Sequence, residues 1–247
     1  MSRVDEYRAT LQSLSDWDTY LLRESGLPGP RGNLELAQAV AEQGDRARFE
    51  RYLEYSPEVA PANTQQEFLA FCGVVGLGRL LAEGDGAQLA VLRAWADDPR
   101  WRLREAVAMA LQRYGDQDFD GLLEAMQDWV GGTPLERRAV VAALCEPRLL
   151  SDPDRVERIL DLLDRVTASL EAIQDRRDEG FKALRKALGY GWSVAVAAHP
   201  ATGKPRLERW FSSPDPDVRW ILRENLKKNR LVKVDPAWVE QCRWTLK

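Results

Sequence analysis

Apolar residues recur at spacings of three and four along almost the whole chain, and this spacing constrains the fold more than any other feature. Alanine, leucine, glutamate and arginine dominate these stretches, whereas valine, isoleucine and threonine are sparse. Such spacing places apolar side chains on one face of an α-helix, and no clear run alternates apolar with polar residues over the length of a strand. The sequence therefore predicts an all-α protein.

The spacing predicts about a dozen helices, most of them ~10–15 residues long. They cover residues 5–23, 34–43, 46–54, 64–82, 87–95, 100–114, 118–130, 134–146, 153–165, 167–198, 205–211, 216–229 and 236–244. The long segment 167–198 is expected to break near Gly189–Gly191, because glycine weakens a helix interior.

Residues suited to begin a helix recur at intervals close to the length of one helical hairpin. Their side-chain oxygens accept hydrogen bonds from the free amides of a first helical turn. They are Asn33, Asn63, Asp98, Thr133, Asp178 and Asp215, at intervals of 30, 35, 35, 45 and 37 residues. A cation follows four residues after each of the last four, at Arg102, Arg137, Lys182 and Arg219. This recurrence predicts helical hairpins stacked in a row.

Two of these helix starts, Asp98-Pro99-Arg100-Trp101-Arg102 and Asp215-Pro216-Asp217-Val218-Arg219, resemble the HEAT repeat. That repeat is an antiparallel helix pair whose second helix typically opens with Asp, followed by Val-Arg. The resemblance covers residues 60–235, roughly, and implies a right-handed superhelical solenoid of antiparallel helix pairs, of the armadillo type. It predicts an N-terminal helical capping region over 1–60 and HEAT-like repeats over 61–247, the last of them basic.

The composition of the chain limits the kinds of functional site that it can form. The chain has one histidine, so catalytic or metal sites that need two histidines are excluded. Cys72, Cys145 and Cys242 lie far apart in sequence, and their spacing indicates neither a zinc site nor a disulfide framework. The first residues are polar, and no stretch approaches the ~20 apolar residues of a membrane span. We therefore expect a cytoplasmic protein with no membrane partner, no metal, no cofactor and no catalytic residues.

The loop of residues 26–32 is rich in glycine and proline, and two interpretations of it stay open. Such a loop can cradle a phosphate through its backbone amides. It lacks the preceding strand and the following Lys-Ser/Thr of a P-loop, which favours a simple connector.

A basic strip is predicted on the helix of residues 216–229 and its continuation, over residues 219–233. Successive residues of an α-helix are rotated by 100° around its axis. On this basis four cations fall within an arc of about 80° on the helix surface, away from the apolar stripe: Arg219, Arg223, Lys227 and Arg230. Residues 204–247 carry 11 Lys/Arg and 6 Asp/Glu, while the rest of the chain carries 24 and 33. The strip is either a solvated face paired with acidic neighbours or a surface for a phosphate backbone or an acidic segment.

Two tryptophans fall outside the apolar stripes of their helices. Trp101 and Trp220 occupy similar places, three and five residues after a predicted helix start. They either pack between repeats or stand exposed as anchors beside cations, a composition typical of binding hot spots. The recurring cations likewise either bridge neighbouring repeats or line a binding surface. The candidate binding residues are Trp101, Arg102, Arg137, Arg219, Trp220, Arg223, Lys227 and Arg230.

Two functions compete. The first is a non-catalytic scaffold that binds a protein or peptide on a concave face built from helices 100–114, 134–146, 178–188 and 216–229. The second follows from a resemblance to the HEAT-repeat DNA alkylpurine glycosylases, which implies DNA binding or repair of damaged DNA. Asp98, Trp101, Arg102, Arg219 and Trp220 are similar in kind to the tryptophan, acidic and arginine residues of that family. The acidic pI of about 5.3 favours the scaffold.

Overall fold

The computed structural model describes residues 2–246, and every regular element within that range is helical. The expectation of an all-α chain is therefore confirmed. The chain forms two compact units, Met1–Asp118 and Phe119–Lys247, called here the first and the second unit. The division into a capping region of 1–60 and repeats over 61–247 concerns repeat organisation and stays a prediction. Among the described helices we find no segment with the length and hydropathy of a membrane span.

The described residues of the first unit form seven α-helices, and alternate helices pack on one another. They are α1 (Arg3–Ser13), α2 (Asp18–Glu24), α3 (Leu34–Gln43), α4 (Arg46–Leu53), α5 (Gln65–Ala82), α6 (Gln88–Ala96) and α7 (Trp101–Gln117). Helix α1 packs on α3, α3 on α5 and α5 on α7, while α2, α4 and α6 cover α5. Helix α5 is consequently buried on nearly all sides, as a helix that is apolar all round requires.

The approach of α5 to α7 is close because a glycine lies at the crossing. A Cβ added at Gly78 would stand 2.4 Å from the Cα of Ala110, a separation at which the backbones must move apart. Gly76 similarly lies against the ring of Phe49 in α4. Small residues at these positions allow α5 to pack tightly against both neighbours.

The described residues of the second unit form eight α-helices, with the same alternation in its centre. They are α8 (Phe119–Trp129), α9 (Pro134–Leu144), α10 (Pro153–Ala168), α11 (Glu179–Ala198), α12 (Pro200–Glu208), α13 (Pro216–Leu226), α14 (Asn229–Val234) and α15 (Pro236–Thr245). Helix α11 packs on α9 and on α13. Its Trp192 is fully buried and donates from Nε1 to Thr167 Oγ1 at 3.0 Å.

The predicted break of α11 near Gly189–Gly191 is wrong, because the helix runs unbroken from Glu179 to Ala198. Gly189 and Gly191 instead allow the neighbouring helices to pack closely against α11. A Cβ at Gly191 would lie 2.6 Å from Val141 of α9, and one at Gly189 would lie 2.9 Å from the ring of Trp220 in α13. Tertiary packing therefore explains these glycines better than local helix propensity does.

Local capping explains many of the helix ends. Asn33, Asp178 and Asp215 accept hydrogen bonds at the starts of α3, α11 and α13, as expected. Thr133 forms a complete capping box with Glu136. The predicted caps Asn63 and Asp98 are wrong by one and two positions, since α5 is capped by Thr64 and α7 follows Arg100.

The predicted helix 5–23 is two helices. Leu14 has extended backbone, which ends α1, and α2 begins only at Asp18. Between them, the buried indole of Trp17 donates to the main-chain oxygen of Leu11 at 2.9 Å. This bond gives the last turn of α1 a side-chain partner in place of a continuing helix.

Candidate functional site

The first unit carries a pocket of about 360 Å³. It lies between the loop that precedes α3 and the helices α5 and α7. Its lining is Leu27, Arg31, Gly32, Leu34, Phe68, Phe71, Trp101, Arg102, Glu105, Ala108, Met109 and Gln112. The surface inside is almost wholly apolar, and the longer polar side chains belong to the loop and to α7. We call it the first-unit pocket.

Two rings from α5 form one side of the first-unit pocket. Phe68 and Phe71 lie one turn apart, with ring centroids 6.2 Å from each other and planes nearly parallel. Both rings are almost fully buried, so the helix core holds them in fixed positions. Across from them, α7 contributes the buried Ala108 and the half-buried Met109.

The glycine-rich loop forms the remaining wall. Gly26 adopts a φ of 74°, a conformation that glycine reaches without strain. The Asn33 amide donates a hydrogen bond to Ser25 O at 2.9 Å, which joins the two ends of the loop. The Gly29 amide donates to Asn63 Oδ1 at 3.0 Å. The Gly29 amide is therefore already hydrogen-bonded within the protein. Leu27 and Gly32 of the loop line the pocket.

A buried ion pair holds that loop in place. Glu67 of α5 is fully buried, and its Oε2 accepts from Arg102 Nη1 at 3.3 Å and from the Asn63 amide at 2.7 Å. The other terminal nitrogen of Arg102 donates to Gly29 O and to Asn63 Oδ1. Arg102 thus links α7, the start of α5 and the loop. This geometry corresponds to the bridging interpretation of the recurring cations.

Trp101 is 47% exposed and lines the first-unit pocket. The guanidinium of Arg102 lies 4.5 Å from the centre of its ring. Of the two interpretations of Trp101, the geometry matches the exposed aromatic beside a cation. Asp98, close to it in sequence, is buried, and both of its carboxylate oxygens accept from Arg100.

The other six candidate residues belong to the second unit, and three of the cations bind main-chain oxygens there. Arg137 donates to Val130 O at 3.0 Å. Arg219 and Arg223 both donate to Leu246 O, at the end of α15. Each of these arginines satisfies carbonyl groups that a helix end leaves without partners.

The remaining three candidates have side-chain partners. Lys227 pairs with Glu224 at 2.5 Å, and Arg230 stacks on the ring of Tyr190 at 4.5 Å. Trp220 is half-buried against Gly189, with the guanidinium of Arg185 4.0 Å from its ring centre. Trp220 is therefore mainly a packing residue between α11 and α13.

Buried thiols supply no reactive thiolate. Cys72, Cys145 and Cys242 are buried. Burial raises the pKa of the Cys145 thiol to about 12 and that of Cys242 to about 11, and it raises the pKa of Cys72 well above its usual value. These thiols stay protonated at neutral pH. Within residues 2–246, no group of three or more His, Cys, Asp and Glu side chains is arranged to hold a metal ion.

Most of the pocket lining was not among the residues that the sequence predicts as a site. Phe68, Phe71 and Met109 fall on apolar helix faces, which helical spacing assigns to the core. The sequence contains one indication of this pocket, the apolar Leu27 within a run of Gly and Pro in the loop.

No protein-family model, no curated protein and no solved structure matches this chain significantly.

Proposed function

We propose that the protein is a non-catalytic interaction scaffold whose first unit binds a protein or peptide segment. One large apolar side chain of that segment enters the first-unit pocket. The observation that carries this proposal is an apolar pocket with a substantially exposed tryptophan in its wall. Burying an apolar side chain there removes its surface, and that of the pocket, from water, which is worth roughly 1.5–3 kcal/mol for a Leu or Phe.

The size and the edge of the pocket favour a peptide anchor. A volume of about 360 Å³ lies near the lower end of the range for ligand sites in proteins, roughly 300–1,000 Å³. Arg31, Glu105 and Gln112 add polar groups to the apolar lining. An apolar centre with polar groups at its edge is the usual organisation of a protein–protein contact.

Trp101 is suited to such a contact because it brings a large ring with few rotatable bonds. A rigid aromatic side chain loses little conformational entropy on binding, and tryptophan is among the residues enriched in hot spots. The buried pair of Arg102 and Glu67 fixes the loop opposite it before any partner arrives. Such preorganisation reduces the entropic cost of binding.

We further propose that the helices form HEAT-like antiparallel pairs in a right-handed superhelix, with the partner on its concave face. The succession α1, α3, α5 and α7, and the succession α9, α11 and α13, support stacked pairs. The bond between Arg102 and Asn63 also supports this arrangement, because it links the predicted helix start Asn63 to the cation that follows the next predicted start, 39 residues later.

The binding proposal is tested with peptides selected from a random library on the full chain. We expect a shared large apolar residue among the selected peptides. The Trp101→Ala variant should weaken their binding by about tenfold or more, equivalent to ~1.4 kcal/mol, in isothermal titration calorimetry. Met109→Lys, which places a charge in the pocket, should abolish binding.

Trp244→Ala is the matched control, since Trp244 is an exposed tryptophan of the second unit. We expect it to leave peptide binding unchanged. Equal affinity of the selected peptides for the native chain and for a folded Met109→Lys variant, checked by circular dichroism, would contradict the proposal.

A further inference from the structure

The last three helices of the second unit carry a concentration of positive charge. Residues 219–246 contain seven Lys/Arg and three Asp/Glu, a net charge of +4. The cations are Arg219, Arg223, Lys227, Lys228, Arg230, Lys233 and Arg243, and we call them the basic surface. The first unit, by contrast, contains 13 Lys/Arg and 19 Asp/Glu, a net charge of -6.

Main-chain oxygens accept hydrogen bonds from three of these arginines. Arg219 and Arg223 donate to Leu246 O, and Arg243 donates to Leu226 O at 2.8 Å. A carbonyl fixes a guanidinium without neutralising its charge. Arg176 of the same unit instead binds the carboxylates of Asp215 and Asp217.

Part of the basic surface is concave. A pocket of about 450 Å³ is lined by Arg223, Lys227 and Arg243, together with Leu226 and Leu246. Among the residues that the structure describes, the lining contains three cations and no carboxylate side chain. Two of the lining cations also have carboxylate partners, since Lys227 pairs with Glu224 at 2.5 Å and Arg243 with Glu240 at 3.9 Å. An oxyanion such as a phosphate would gain charge-assisted hydrogen bonds there.

Exposed aromatic rings accompany the cations. Tyr190 of α11 is 46% exposed, and Arg230 and Lys228 lie 4.5 and 5.9 Å from its ring centre. Trp244 is 73% exposed and follows Arg243 directly in α15. Unstacked bases need flat apolar rings beside positive charge, whereas an acidic peptide needs the charge alone. The rings therefore favour a nucleic acid in single-stranded form.

We propose that the basic surface binds the backbone of single-stranded nucleic acid. Phosphates occupy the site of Arg223, Lys227 and Arg243, and bases stack on Trp244 and Tyr190. This binding uses the second unit alone, so it does not depend on the peptide site of the first unit. The net charge of -4 for the whole chain limits nonspecific binding to duplexes and directs nucleic acid to this one region.

Fluorescence anisotropy of a labelled oligothymidine on the full chain tests the proposal. We expect it to bind more tightly than a duplex of equal length. Affinity should fall with salt, with a log–log slope of about -2 for three neutralised phosphates, at roughly -0.7 per phosphate on a single strand. Lys227→Gln should reduce that slope by about 0.7, and Trp244→Ala should weaken binding at least about fivefold.

Lys182→Gln is a matched control for Lys227→Gln. Both lysines are exposed, and both pair with a glutamate three residues earlier, Glu179 and Glu224 respectively. Trp101→Ala is the control for Trp244→Ala. We expect neither control to change the affinity by more than about twofold, the size of a screened surface charge effect.

Three outcomes would overturn the proposal. One is the absence of oligothymidine binding at low salt. Another is equal loss of affinity in the Lys227→Gln and Lys182→Gln variants. The third is that a poly-glutamate peptide binds as tightly as oligothymidine and that Trp244→Ala leaves its affinity unchanged. Charge alone would then explain binding to the basic surface.

Discussion

Replacing Arg102 by methionine is expected to lower the free energy of unfolding by about 3–5 kcal/mol, the cost of removing one partner of a buried ion pair. Methionine replaces the apolar stem of arginine, but it leaves the fully buried carboxylate of Glu67 without its cation. It also removes the bonds to Gly29 O and Asn63 Oδ1, so the loop at the first-unit pocket loses its anchor. Urea unfolding followed by tryptophan fluorescence measures the change.

A double-mutant cycle separates this pair from general loss of packing. In the Glu67→Gln/Arg102→Met double variant the buried side chain of α5 is neutral. We expect it to be more stable than Arg102→Met alone, with an interaction energy of roughly 1–3 kcal/mol. Strictly additive effects of the two substitutions would contradict the account.

Arg31→Met is the control for Arg102→Met. Arg31 also lines the pocket, but its side chain is exposed and its ion pair with Glu35 is long, at 3.4 Å. Exposed pairs of this kind are worth about 0–1 kcal/mol. We therefore expect Arg31→Met to change stability by less than ~1 kcal/mol, and to change peptide affinity less than Arg102→Met does.

Replacing Asn225 by alanine is expected to lower the free energy of unfolding by about 3 kcal/mol, since buried polar groups left unsatisfied cost ~1–3 kcal/mol each. Asn225 is fully buried between α13 and α11. Its Oδ1 accepts from the Ser193 amide at 2.7 Å, and its Nδ2 donates to Leu188 O and Ile221 O, both at 2.8 Å. The bonds to Ser193 and Leu188 join the two helices.

Asn225→Asp distinguishes these bonds from simple packing, since aspartate preserves the shape and loses the donor. We expect it to be at least as destabilising as alanine, because it also buries a charge without a cation. Asn229→Ala is the control, since Asn229 is exposed at the start of α14. Thermal unfolding by circular dichroism measures all three. A loss below ~1 kcal/mol for Asn225→Ala would show that α11 and α13 pair without this residue.

Local chemistry explains why the helices themselves were predictable. The capping box of Thr133 and Glu136 and the cap of Asp178 depend on residues within one turn, so the sequence alone locates them. The prediction for Gly189 and Gly191 is wrong because their role depends on Val141 and Trp220, which are distant in sequence. A glycine that permits close helix packing has the same sequence signal as a glycine that breaks a helix.

The candidate site was predictable only in part for a similar reason. Trp101 was identifiable because it lies off the apolar stripe of its own helix. Phe68 and Met109 lie on the stripes of theirs, and a pocket wall has the same composition as a core. Leu27, Phe68 and Met109 meet only in the folded unit, through a loop that Arg102 anchors from a distant position.

The central claim is that the first-unit pocket receives an apolar side chain of a partner, and methionine methyl NMR tests it most directly. The chain has three methionines. Met109 lines the pocket, and Met126 is fully buried in the second unit. With ¹³C-methyl labelling and a selected peptide at saturation, the Met109 signal should shift and the Met126 signal should stay. An unchanged Met109 signal at full occupancy would contradict the claim.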